Sequence, residues 1–174
     1  MGRNLKNGLS EIFKILQVGV LGKEQVINVS ANVREYNEEL LSQVNALLCT
    51  ASLTFGSNVE KQTIKVVEEP YRYGVLVREY VDGAIFKLFL RNAPIEEYFE
   101  INVYGSNAEL FYDSHKNQIT IYEQIPDNEG VTTDLTDKDV LQLYDEELWE
   151  CFLDKSIIKE NKMLAKSFLE KNND

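Results

Sequence analysis

The alternation of apolar and polar positions is clearest between Tyr98 and Gln124. Phe99, Ile101 and Val103 alternate with Glu100, Asn102 and Tyr104, a strand with one apolar and one polar face. Gly105-Ser106-Asn107 makes a turn, Glu109 to Tyr112 returns, and Asp113 to Asn117 turns again. Ile119 and Ile121 then point inward on a third strand. Such a meander predicts an antiparallel sheet covered on one face.

The same pattern, followed from the start of the chain, predicts a helix first. Leu5, Leu9, Ile12, Phe13 and Leu16 fall on one stripe, and Gly19 and Gly22 bracket its end. Gln25 to Val33 reads as a strand with Ile27, Val29, Ala31 and Val33 on one face. Asn32 to Leu41 fits either a continued strand or a short helical turn. Val44 to Phe55 reads as a longer strand, with Cys49, Ala51, Leu53 and Phe55 alternating with Thr50, Ser52 and Thr54. Gly56-Ser57-Asn58 turns the chain, Thr63 to Glu68 pairs back, and Pro70 ends that strand. Val75–Tyr80 and Ala84–Leu90 flank Asp82-Gly83, a strong hairpin signal. Asn92-Ala93-Pro94 opens the loop before the meander.

Pro126 to Thr133 reads as a polar loop. Thr136 and Asp139 resemble a capping box for a helix that covers Val140, Leu141, Tyr144, Leu148, Cys151 and Phe152. Ser156 caps a last helix with Ile157, Leu164 and Phe168. One helix, about seven strands and two helices, joined by short turns, predict an α+β domain. Its large, mostly antiparallel sheet has helices packed on one face and an open face available for oligomerisation. The 174 residues form one domain, 1–174, with a core over about 2–152 and a C-terminal helix over 156–171.

Charge narrows the partners. The formal net charge is −11, which opposes phosphate neutralisation and disfavours both nucleic acid and anionic membrane. The N-terminal stretch lacks the apolar core and cleavage site of a signal peptide, and no apolar run approaches a membrane span. A reducing, cytoplasmic setting is the default. Cys49 and Cys151 each lie in an apolar run, as free buried thiols do. With a single His in the chain, a zinc site is not expected.

No GxGxxG or GxxxxGK[ST] loop is present, so a dinucleotide site is not expected in this chain. His115 lies in a turn, Asp113-Ser114-His115-Lys116, where a solvated imidazole is the ordinary outcome. Adjacency in a tight turn does not let a base reach a nucleophile. The neighbours Glu68-Glu69, Glu96-Glu97 and Glu146-Glu147 point apart on a strand or a helix and share no proton. Tyr98 and Tyr104 share the polar sheet face with Glu100 and Asn102, and these four residues are the interface candidates.

The run Val77-Arg78-Glu79-Tyr80-Val81-Asp82-Gly83-Ala84, with Phe99 to Ser106 and Leu110-Phe111-Tyr112-Asp113, resembles the C-terminal domain of the Gfo/Idh/MocA oxidoreductases. Glucose-fructose oxidoreductase and inositol dehydrogenase are of this family. The resemblance implies a substrate-side domain whose open sheet face builds oligomers, beside a separate Rossmann domain that carries NAD or NADP. It also implies a chemistry-bearing first helix with an Asp, a His and a final acidic residue. Here those positions fall on Asn7, Glu11 and Lys14, and all differ from the pattern. Glu is a weak base near neutrality, and Asn does not titrate.

The chain therefore reads as an excised domain, a degenerate relative, or both, and as inactive alone. The expected role is substrate side and oligomerisation in an NAD(P)-dependent enzyme acting on a sugar or polyol. The expected partners are a homodimer mate at the open face and the Rossmann domain of the parent protein. No cofactor or metal is expected within the chain. The alternatives are a non-enzymatic dimerisation or protein-binding module, and a curved-sheet cup with an apolar pocket beneath the sheet.

Overall fold

The computed structural model describes residues 5–123, 129–135 and 146–170, without the side chains of residues 5–7 and 146. The elements are α1 (Leu5–Val18), β1 (Glu24–Asn32), α2 (Glu38–Phe55), β2 (Val59–Val67), β3 (Tyr73–Tyr80) and β4 (Ile85–Arg91). They continue as β5 (Tyr98–Gly105), β6 (Ala108–Asp113), β7 (Gln118–Glu123), β8 (Val131–Asp134), α3 (Glu146–Trp149) and α4 (Lys155–Glu170). The strands form one eight-stranded sheet in the order β2-β3-β4-β1-β5-β6-β7-β8. Every neighbouring pair is antiparallel except β1 with β4. The α+β class and the mostly antiparallel sheet are as the sequence predicts.

The alternation carries the strands. Ile27, Val29, Leu76, Leu88, Ile101, Val103 and Leu110 point to one face and are buried there against the helices. Each such side chain contributes roughly 1.5–3 kcal/mol by leaving water. Gly83 turns the β3–β4 hairpin at φ 94°, and the Ala84 N–H donates to Asp82 Oδ1. Gly22 has φ 74° after α1, and a side chain there would collide with Ser106 and Asn107. The Lys23 N–H donates to Ser106 Oγ at 2.9 Å, tying the α1–β1 connection to the β5–β6 turn.

Val44–Phe55 is not a strand but most of the helix α2. The Asn37 side chain accepts from the Leu40 N–H, and Glu38 and Glu39 occupy the first turn. The polar residues Thr50 and Ser52 are buried as well as the apolar ones, because α4 packs along a flank of α2 while itself lying on β3, where Phe168 meets Gly74 and Asn161 meets Arg78. Thr50 Oγ1 returns a hydrogen bond to Ala46 O, and Ser52 accepts from Asn161. A helix surrounded by protein loses its amphipathic stripe, and alternation there is coincidental. Asn32 to Leu41 is thus the end of β1, a loop and the start of α2.

The part of the polar loop that is described contains the edge strand β8, paired with β7. The capping pair Thr136 and Asp139 and the helix positions Val140, Leu141 and Tyr144 lie outside the described residues. Beyond them, Cys151 is exposed and Phe152 is 42% exposed, against expectation. The buried residue of that segment is Trp149, whose ring meets Phe13 edge-on at 6.0 Å. The short helix α3 turns one large side chain inward, while Phe152 keeps its ring against Phe13 at 5.3 Å and Leu153 packs partly against the core.

The last helix lies where its periodicity puts it, with Ile158, Asn161, Ala165, Phe168 and Leu169 buried. Arg72 holds its end by donating to Leu169 O at 2.6 Å, while its guanidinium stacks 4.3 Å above the Tyr36 ring. The space beneath the sheet is a filled core, so no apolar cup is formed there among the described residues. No helix among the described residues is long and apolar enough to cross a membrane.

Candidate functional site

The positions on α1 come first. The Asn7 side chain lies outside the described residues. Glu11 and Lys14 are one turn apart, and Lys14 Nζ lies 3.7 Å from Glu11 Oε1 with both side chains partly in water. Gly8 lets α1 settle on Tyr112: a Cβ there would lie 2.5 Å from the ring. Tyr112 pairs with Ile101, so the start of α1 is carried toward the sheet end where β1 and β4 finish.

At that end two clefts open on either side of Arg34. The larger, about 780 Å³, lies between Arg34, Tyr71 and the 92–96 loop. The smaller, about 330 Å³, lies between the end of β1, the first turns of α2 and Glu97. The loops are held by amides. Asn32 Nδ2 donates to Ala93, Ile95 and Glu96 carbonyls, and its Oδ1 accepts from the Ala93 N–H. Asn92 Nδ2 donates to Val33 O and Arg34 O, and the Arg34 N–H donates to Glu97 Oε2 at 2.9 Å. Glu11 and Lys14 line neither cleft. The clefts went unread in the sequence, although a polar run of Asn32, Asn37 and Asn92 at element ends was their signal.

His115 is partly exposed, with its Nδ1 3.9 Å from Glu96 and its ring 6.3 Å from that of Tyr98. Ser114 Oγ accepts from the Phe99 N–H, and Asp113 accepts from the His115 backbone N–H. The three side chains therefore face different partners and form no triad. Among the described residues no group of His, Cys, Asp and Glu is placed to hold a metal ion.

The open sheet face carries the interface candidates together. Tyr98, Glu100, Asn102 and Tyr104 are all half-buried on it, in register with Asn32, Ser30, Asn28 and Val26 of β1. Lys61, Lys65, Lys87 and Arg91 lie on its β2–β4 side, with Glu79 the exception. Glu100, Glu109, Asp113 and Asp134 lie on its β5–β8 side, with no cation among them. Val75, Val77, Phe89 and Phe111 fill the intervals. The face thus has a basic half and an acidic half, divided by the uncharged Val26, Asn28 and Ser30 of β1.

No family profile and no curated protein matches the chain in sequence. Solved structures match its fold. UDP-N-acetylglucosamine 3-dehydrogenase from Acidithiobacillus ferrooxidans superposes with a TM-score of 0.68 at 14% identity, over 96% of this chain and 61% of its own. A levoglucosan dehydrogenase determined with NADH gives 0.64 at 8% identity, over 97% and 62%. A dehydrogenase from Chromobacterium violaceum gives 0.65 at 13% identity, over 95% and 58%. This chain spans about three-fifths of the length of these proteins. They are of the Gfo/Idh/MocA type, so the resemblance read from the residues holds at the level of the fold.

Proposed function

We propose that this chain is the substrate-side and oligomerisation domain of a Gfo/Idh/MocA-like oxidoreductase that acts on a sugar or polyol. NAD or NADP would be held by a separate Rossmann domain, and the chain would not turn over alone. The observation that carries this reading is the sheet itself. Its fold is shared with part of each matched dehydrogenase, and one broad face is left uncovered by the described helices.

The partner at that face is a second copy of the chain. A two-fold axis running along β1 turns the face over and exchanges its sides. The Lys65 and Lys87 half of one copy then covers the Glu100 and Asp113 half of the other. A two-fold axis running across the strands stacks like charge on like, so the charge pattern selects the first arrangement. Sedimentation equilibrium tests this: a dimer is expected at micromolar concentration, weakening as salt screens the charges. A monomer at low salt and micromolar concentration overturns the oligomerisation role.

One observation favours a second reading, a non-enzymatic module. The positions that would carry chemistry hold Asn7 and a Glu11–Lys14 pair whose members neutralise each other. A dimer that forms with no response to sugars or polyols in thermal unfolding supports this alternative.

A further inference from the structure

One cation on the open sheet face lacks a counterpart. Arg91 ends β4 on the side away from the core, into which Leu88 and Leu90 point. The residue is half-buried, its Nε is buried without a hydrogen-bond partner, and no carboxylate pairs with its guanidinium among the described residues. Its neighbours in the sheet are neutral: Tyr73 on β3, Asn32 on β1, and Phe89 two residues back on the same face. The other guanidiniums withdrawn from water are engaged, Arg72 on Leu169 O and Arg78 on Gln62 and Asn161. A partly desolvated charge with an unmade hydrogen bond is costly until an anion or an acceptor meets it.

The strand register locates that anion. Asn32 of β1 lies between Arg91 and Tyr98, Ser30 between Phe89 and Glu100, and Asn28 between Lys87 and Asn102. Arg91 and Tyr98 thus stand one strand away from β1 on opposite sides. A two-fold axis along β1 brings Arg91 of one copy over Tyr98 of the other. The partner's Glu100 is then one row away, about 7 Å along the strand, and facing sheets are about 10 Å apart. An Arg and a Glu side chain span that offset together. Glu100 has Ser30 and Asp113 as cross-strand neighbours and pairs with no cation in its own copy among the described residues. Positions beside the axis are at the centre of the interface, where Arg and Tyr commonly carry most of the binding energy.

We propose that Arg91 anchors the dimer: its guanidinium lies on the ring of the partner's Tyr98 and pairs with the partner's Glu100, twice about the two-fold axis. This contact rests on the second copy proposed for the face and names what fixes that copy in place. An aromatic face and a carboxylate together answer a flat, forked cation. A lysine carries the same charge without the fork or the plane, so charge alone does not replace Arg91.

Sedimentation equilibrium of the whole chain at low salt tests it. Arg91→Lys keeps the charge of the basic half and is expected to weaken the dimer about tenfold. Arg91→Met and Glu100→Gln are each expected to weaken it about tenfold or more. Their combination is expected to stay within about threefold of the weaker single variant, whereas independent sites multiply to about a hundredfold. Urea unfolding of Arg91→Met, diluted until monomeric, is expected to show an unchanged or higher midpoint, because an unpaired buried donor has been removed. A dimer of full strength in Arg91→Lys or Arg91→Met, or losses that multiply, overturns the anchor and leaves the second copy on the face. A clearly lower urea midpoint in Arg91→Met shows that Arg91 serves its own chain and also overturns it. A monomeric wild type overturns the second copy and the anchor with it.

Discussion

Asn161→Ala tests how α4 is locked to the rest of the protein. Asn161 is 1% exposed, and each end of its amide is used. Its Nδ2 donates to Ser52 Oγ at 3.1 Å and to Cys49 Sγ at 3.6 Å, both on α2. Its Oδ1 accepts from Arg78 Nη1 at 3.1 Å, and Arg78, itself 6% exposed, donates from Nε to Gln62 at 3.2 Å. No carboxylate pairs with Arg78 among the described residues, so this guanidinium is buried on neutral acceptors alone. Removing the amide deletes a hydrogen bond to a charged group, about 1.5–3 kcal/mol, and unpairs the Ser52 hydroxyl, about 1 kcal/mol more. The expected loss is about 2.5–4 kcal/mol, or a fall in Tm of about 10 °C for a chain of this size. Urea unfolding followed by circular dichroism is the assay, and the midpoint should fall with the slope unchanged. The double variant Arg78→Met with Asn161→Leu should recover most of the loss, because charge and acceptor leave together. A loss below about 1 kcal/mol in the single variant, or a double variant no better than the single, refutes the reasoning.

The Tyr80 hydroxyl is buried beside the Arg78 guanidinium and makes no well-formed hydrogen bond among the described residues, so Tyr80→Phe should change stability by less than about 1 kcal/mol in the same urea assay. Burial raises the phenol pKa of Tyr112, with Asp113 adding to it, and burial also raises those of Tyr36 and Tyr80. The folded chain then holds these protons more tightly than the unfolded one; their contribution is complete below the ordinary tyrosine pKa of about 10 and declines as pH rises above it. Tyr112→Phe should make stability fall less steeply with pH in that alkaline window, as read by urea midpoints at successive pH values. On the open face, Lys65→Glu with Lys87→Glu should weaken self-association about tenfold or more, and so should Glu100→Lys with Asp113→Lys. An equimolar mixture of the two variants should associate again in sedimentation equilibrium, and failure of the mixture to do so counts against the two-fold arrangement along β1.

The strands were legible because they are half-covered. β3, β4, β5 and β6 each alternate between the core and a partly wet face, and their alternation in sequence is the same alternation. The hairpin at Asp82-Gly83 was legible because its φ of 94° at Gly83 favours the residue present. Helix α2 was misread because both of its sides are covered, which removes the stripe that marks a helix. Its cap at Asn37 and the acidic Glu38 and Glu39 were a better signal than its interior. Strand β8 hid because all its residues are exposed at a sheet edge, where pairing needs no apolar pattern. Trp149 was passed over because its burial comes from Phe13, far away in sequence. For the same reason the four interface candidates on β5 were found together, whereas the basic residues on β2 and β4 were not: strand order, not sequence order, sets them opposite.

That strand order is what turns scattered charges into a surface. β1 lies at the centre of the sheet because α2 follows it, carrying the chain across one face before β2, β3 and β4 return to pair alongside. The crossover creates the single parallel pair, β1 with β4, and places the basic strands on one side of β1 and the acidic meander on the other. A plain meander would have put neighbours in sequence beside one another and left no such division. The first helix, α1, gains nothing comparable. Glu11 already has a cation beside it, and Asn7 does not titrate. What the fold organises over a distance is charge, with a basic half and an acidic half brought onto one sheet face by strands far apart in sequence.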